Sequence, residues 1–139
     1  MFPLETDYCR LGLDETQKVA MLSWKRPVHL SEYQSGLSAL IDLLKTHAIQ
    51  RTLIDSTHKG PLSKEADEWV FNALPNAVAG IDLNVHQVAL VMTEDMYQNM
   101  VQQYSVLRTG ALQLPLSINY FTKREEALHW LAHEPTMLS

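Results

Sequence analysis

One stretch of the chain gathers residues able to do chemistry: Asp55, Ser56 and Thr57, followed after a short interval by Ser63. Such hydroxyls and a carboxylate at a strand-to-helix junction can form an anion site or a phosphorylation switch. Lys59, His58 and the backbone donors at the following helix start would supply positive potential there. The same residue types also build plain turns, in which side-chain oxygens cap nearby amides. Turn chemistry asks less of the residues and is the expected reading, with the loop kept as a candidate partner or phosphorylation site.

Elsewhere the chemistry thins out. His129 and His133 are four residues apart on a helical stretch, which places both imidazoles on one face and offers half a zinc site. The intervening residues are Trp130, Leu131 and Ala132, so the glutamate of a metalloprotease helix is missing, and surface histidines are expected. Cys9 is the single cysteine, which rules out an intramolecular disulfide or a four-cysteine metal site. It has no identifiable histidine partner and reads as an ordinary thiol on an opening strand. Asp14, Glu15, Asp55, Glu65, Asp67 and Glu68 suggest no acid/base pair, and neither glycine-rich phosphate-loop pattern occurs. The expectation is a chain without a catalytic set, metal or cofactor.

An apolar stripe is the second candidate. Met96, Tyr97, Met100, Val101 and Tyr104 recur at helical spacing. The stripe reads first as the buried face of a helix. Methionine and tyrosine are also the side chains of adaptable binding surfaces, so Met96, Tyr97, Met100 and Tyr104 form a candidate apolar interaction face. Between Gln98 and Gln113 the only charge is Arg108, a pattern that self-association would explain. A small apolar or anionic ligand held between this helix and a sheet is the alternative.

The elements that must position these residues follow from pattern. Tyr8–Leu13 and Lys18–Trp24 read as a hairpin around Asp14-Glu15-Thr16-Gln17. A capping box at Ser31–Gln34 opens a helix with Leu37, Leu40, Ile41 and Leu44 on one side, and Gly36 there invites close approach to a strand. Arg51–Thr57 is a strand running into a polar loop. Ser63 starts a helix carrying Ala66, Trp69, Val70 and Ala73 inward and ending before Pro75. Val85–Met92 is a strand, Thr93 caps the next helix, and Ser117–Phe121 is the last strand. A second capping box, Thr122–Glu125, opens a final helix that Pro135 stops. The order ββαβαβαβα predicts one α/β domain over residues 1–139, a mixed five-stranded sheet with about four helices.

Composition agrees with a globular chain. Of 139 residues, 46% are hydrophobic and 19% charged, a balance far from that of disordered segments. A net charge of -5 with scattered lysines and arginines argues against nucleic acid as a partner. No apolar run is long enough for a membrane span, and a basic, apolar leader is missing, so a cytoplasmic location is expected.

Several of these segments together resemble the SpoIIAA-like, or STAS-like, family of small domains. The resemblance rests on the strand ending at Trp24, Tyr33 and Gly36-Leu37 in the first helix, Leu53-Ile54-Asp55, and the Trp69 helix. It closes on Phe121-Thr122-Lys123-Arg124-Glu125-Glu126-Ala127-Leu128-His129-Trp130-Leu131, and it spans about residues 8 to 132. It implies a sheet with helices that presents an edge or face to a protein partner or a second copy. It also implies a switch by phosphorylation of a serine at the start of the helix after a strand, and here Asp55-Ser56-Thr57 lies at the corresponding strand end, with Ser56 as the candidate. The loop Thr57–Leu62 departs from the family by lengthening that junction.

Overall fold

A computed structural model describes residues 4–60, 63–99 and 117–133. The strands are β1 (Leu4–Glu5), β2 (Cys9–Asp14), β3 (Val19–Trp24), β4 (Arg51–Asp55), β5 (Gln87–Val91) and β6 (Ser117–Phe121). The helices are α1 (Leu30–His47), α2 (Lys64–Ala77), α3 (helical over residues 94–99) and α4 (Arg124–His133). A single 3-10 turn, Leu83–Val85, precedes β5.

The sheet has six strands in strictly sequential order, β1 to β6, rather than the five expected. The extra strand is β1, two residues long and too short for any hydrophobic period to register. It pairs antiparallel with β2, and β2 pairs antiparallel with β3. From β3 to β6 every pairing is parallel.

Strand alternation divides the core in two. Cys9, Leu11 and Leu13 pair across from Trp24, Leu22 and Ala20, and this side packs against Leu37, Leu40, Leu43 and Leu44 of α1. Tyr33 of α1 and Trp69 of α2 join the same cluster. On the opposite side Val19, Leu53, Ala89 and Val91 are covered by Ala127 and Leu131 of α4. The fold is therefore layered helix, sheet, helix, with α4 alone closing the second face among the described residues.

The local signals act mostly where the residues place them. Asp14 Oδ1 accepts from the amides of Thr16 and Gln17, both at 3.0 Å, and turns the hairpin. Lys18 then takes a positive φ of 59°, so β3 starts at Val19, one residue later than expected. Ser63 Oγ accepts from Ala66 N at 3.1 Å, and Thr93 Oγ1 from Met96 N at 3.1 Å, as caps of α2 and α3. The strand expected from Val85 begins only at Gln87, because Leu83–Val85 forms the 3-10 turn, and three helix ends differ as well. The reciprocal cap of α1 lies two residues before Ser31: Glu32 Oε1 accepts from His29 N at 3.0 Å. The last turn of α2 continues through Pro75 to Ala77, since a proline near a helix end forfeits only one ladder bond. Helix α4 begins at Arg124, with Lys123 O accepting from Ala127 N at 3.2 Å.

Candidate functional site

Parallel strands bring four carboxyl ends to one edge of the sheet, the place where α/β folds usually hold ligands. The usual crevice forms where the strand order reverses. Here β3 to β6 never reverse, and α1 and α2 pack on the same face, so the sheet opens no crevice of that kind among the described residues.

The residues at that edge hold one another. Asp55 Oδ1 accepts from Thr57 N at 3.0 Å and from Thr57 Oγ1 at 2.7 Å, a compact side-chain turn. Asp55 Oδ2 accepts from Arg124 Nη1 at 3.0 Å, tying β4 to the start of α4. Ser56 is only 7% exposed. Its amide donates to Val91 O at 2.7 Å, and its carbonyl accepts from Lys59 N at 3.1 Å. Transfer of a phosphate to Ser56 therefore requires the loop to open. Ser63 is exposed, and its hydroxyl is engaged as the α2 cap. Of the four candidates, Asp55, Ser56 and Thr57 form one bonded loop. Ser63 serves the neighbouring helix.

Beside this loop lies a cluster that sequence reasoning did not foresee. Arg26 grips Glu32 through two bonds, Nη1 to Oε1 at 3.1 Å and Nη2 to Oε2 at 2.7 Å. The same Nη2 meets Asp7 Oδ2 at 3.0 Å, and the guanidinium lies over the Tyr8 ring, 5.8 Å from its centroid. Arg26 holds the Glu32 carboxyl down to about 2, helped by the His29 amide. Above it Trp24 stacks on Tyr33 with centroids 5.3 Å apart, Trp69 meets Tyr33 edge to face at 6.2 Å, and Lys59 Nζ lies 5.8 Å from the Tyr33 ring centre. The arrangement pins the β3–α1 junction. Its groups face one another, so it works as a clamp.

The opposite, amino end of the parallel strands carries two shallow depressions of about 270 and 390 Å³. Lys45, Gln50, Asp82 and His86 line the first, and Gln17, Lys18, His47 and Arg51 the second. His86 is 6% exposed, with Nδ1 3.4 Å from Asp82 O. Burial lowers its pKa, so the imidazole is neutral at physiological pH. No group of three or more histidine, cysteine or acidic residues able to hold a metal occurs among the described residues. His129 is exposed, and the His133 side chain lies outside the description.

Comparison with family models, curated proteins and solved structures finds no match for this chain.

The apolar stripe is visible at its first turn. Met96 and Tyr97 are half-buried, and Tyr97 meets Tyr120 of β6 edge to face at 6.4 Å. Met100 and Tyr104 lie outside the described residues. Tyr120 and Ile118, two apart on β6, share the side of the sheet that faces α1 and α3, and they are 37% and 43% exposed. Partial burial raises the Tyr120 phenol pKa, with the Tyr97 oxygen adding to the effect. No helix in the described residues is long and apolar enough to cross a membrane. Ile118 and Tyr120 went unnoticed in the sequence because alternation marks a strand without saying which strand is an edge.

Proposed function

We propose that this chain is a non-enzymatic interaction module of SpoIIAA-like type, presenting the β6 and α3 side of its sheet to a protein partner. One observation carries the reading. Among the described residues, the large hydrophobic side chains that remain exposed, Ile118 and Tyr120, stand together on one edge strand. Exposed apolar side chains on an edge strand mark a surface for another polypeptide.

The engaged polar groups at the strand ends support the same reading. Asp55, Thr57 and Ser63 engage their oxygens within the loop, on Arg124 and in the helix cap, as a structural turn does. The residues behind the family resemblance support it further. Trp24, Ala127 and Leu131 are buried core positions, as a shared architecture requires. The competing reading, a carrier with its ligand between the third helix and the sheet, finds that space filled by the Tyr97–Tyr120 contact at its described end.

Native mass spectrometry of the protein isolated from its own cell tests the choice, reading bound proteins, phosphate on Ser56 and retained small molecules together. The expected spectrum shows the chain joined to a protein, either itself or another, with no small molecule retained. A monomer carrying a small molecule would overturn the proposal in favour of the carrier.

A further inference from the structure

The two edges of the sheet are built differently. On one side β1 is two residues long, and Glu5 on it pairs with both Arg10 and Lys25. Brevity and charge are the devices by which proteins keep an edge from recruiting another strand. On the other side β6 reads Ser-Ile-Asn-Tyr-Phe, with neither charge nor proline. No described residue pairs with its outer edge.

The direction of each β6 amide follows from its register. Ser117 N donates to His86 O at 3.0 Å, and Phe121 O accepts from Met92 N at 2.9 Å, so both residues turn their backbone toward β5. Alternation then points the amides and carbonyls of Ile118 and Tyr120 outward. These are also the two residues with exposed apolar side chains. Among the described residues the outward Tyr120 amide meets its neighbour's side chain, Asn119 Oδ1 at 3.0 Å, a bond that a better acceptor can replace.

From this pattern we infer that β6 pairs with β6 of a second copy of this chain, antiparallel and centred on Asn119. The register is self-complementary. Ile118 of one copy and Tyr120 of the other exchange both backbone hydrogen bonds, and the two-fold axis repeats the exchange. The same step sets Ile118 beside Tyr120 of the second copy on one face, as an aliphatic–aromatic cross-strand pair. Asn119 meets its own counterpart on the other face. The two sheets become continuous, and the interface is isologous, as closed dimers require. A contact this small gives modest affinity, with dissociation in the micromolar range or weaker, on the order of 10 μM.

The inference rests on the interaction reading and narrows the partner to the chain itself. Analytical ultracentrifugation of the purified protein, up to roughly 100 μM, reads the monomer–dimer equilibrium. The expected result is a concentration-dependent dimer that Ile118→Lys shifts at least tenfold toward monomer while the circular dichroism spectrum is unchanged. An Asn119→Cys variant tests the register without disturbing the fold, because facing residues of a non-hydrogen-bonded antiparallel pair lie within disulfide reach. Mild copper-phenanthroline oxidation joins its chains covalently and spares Ser117→Cys, whose counterpart across the axis is Phe121. The native Cys9 is buried and does not interfere. A monomer at every concentration, with equal crosslinking of the two cysteine variants, overturns the inference. If native mass spectrometry then shows a different protein bound, the interaction reading survives; if it shows no protein at all, both fail.

Discussion

The indole of Trp24 lies so close to Gly36 that a Cβ at position 36 would stand 2.5 Å from the ring. The ring has little room to withdraw, since Trp24 is buried and stacked on Tyr33 at 5.3 Å. Gly36 thus sets the distance between α1 and β3, and with it the position of the Arg26–Glu32 clamp at the helix start.

Gly36→Ala weighs two opposed effects. Helix propensity favours alanine by up to about 1 kcal/mol, whereas overpacking a filled core costs about 1–3 kcal/mol. The expected net effect is destabilisation of roughly 1 kcal/mol, seen as a lower urea midpoint with an unchanged slope. A raised midpoint would show that the indole yields freely.

The Asp55–Arg124 pair joins residues 69 positions apart and fastens α4 to β4. Arg124 is partly exposed, so its net worth is that of a surface pair, about 0.5 kcal/mol in coupling energy. A double-mutant cycle with Asp55→Ala and Arg124→Ala measures it. Asp55→Ala is expected to cost more than Arg124→Ala, because it also releases the Thr57 amide and hydroxyl.

Glu32 gives the acid limb of the stability curve a distinct feature. Its carboxyl falls from an ordinary 4.5 to about 2 through the Arg26 bonds and the His29 amide. A depressed carboxylate stabilises the fold above its unfolded value and loses that contribution as pH falls through the folded one. Glu32→Gln is therefore less stable than the parent at neutral pH, and the gap closes between about pH 4.5 and 2. Thermal melts across that window check the sign, and a gap that widened toward low pH would contradict it.

Ser56 offers a test of the strand-end loop. At 7% exposure the site has no solvent to share with a charge. Ser56→Asp is expected to lower stability by on the order of 2 kcal/mol or more. Ser56→Ala should stay within about 1 kcal/mol of the parent. Equal stability of the two variants would mean that the loop opens readily and can accept a phosphate.

Legibility in the sequence followed the range of the interactions. The caps at Ser63 and Thr93, the Asp14 turn and the span of β6 depend on residues within four positions, and each stands where its residues place it. The start of α1 does not. Glu32 is drawn to Arg26 across Pro27 and takes the cap back to His29, a choice that no local pattern at Ser31–Gln34 encodes. The Asp55 candidate was found as a residue and missed as a contact, because its guanidinium partner belongs to the last helix. The apolar stripe of the third helix is half-buried at Met96 and Tyr97. The exposed large apolar pair among the described residues, Ile118 and Tyr120, stands on β6, whose edge position only the assembled sheet reveals.

The cover that α4 gives the second core, alone among the described residues, has a consequence for how the chain is made. Synthesis delivers β1 to β6 in the order in which they stand side by side, so each strand finds its neighbour already waiting. The face beneath α1 can close early. Val19, Leu53, Ala89 and Val91 must wait for Ala127 and Leu131, the last core residues of the described chain to leave the ribosome. Until then no described residue outside the sheet covers these four side chains, and this apolar face depends on water or chaperones for its company.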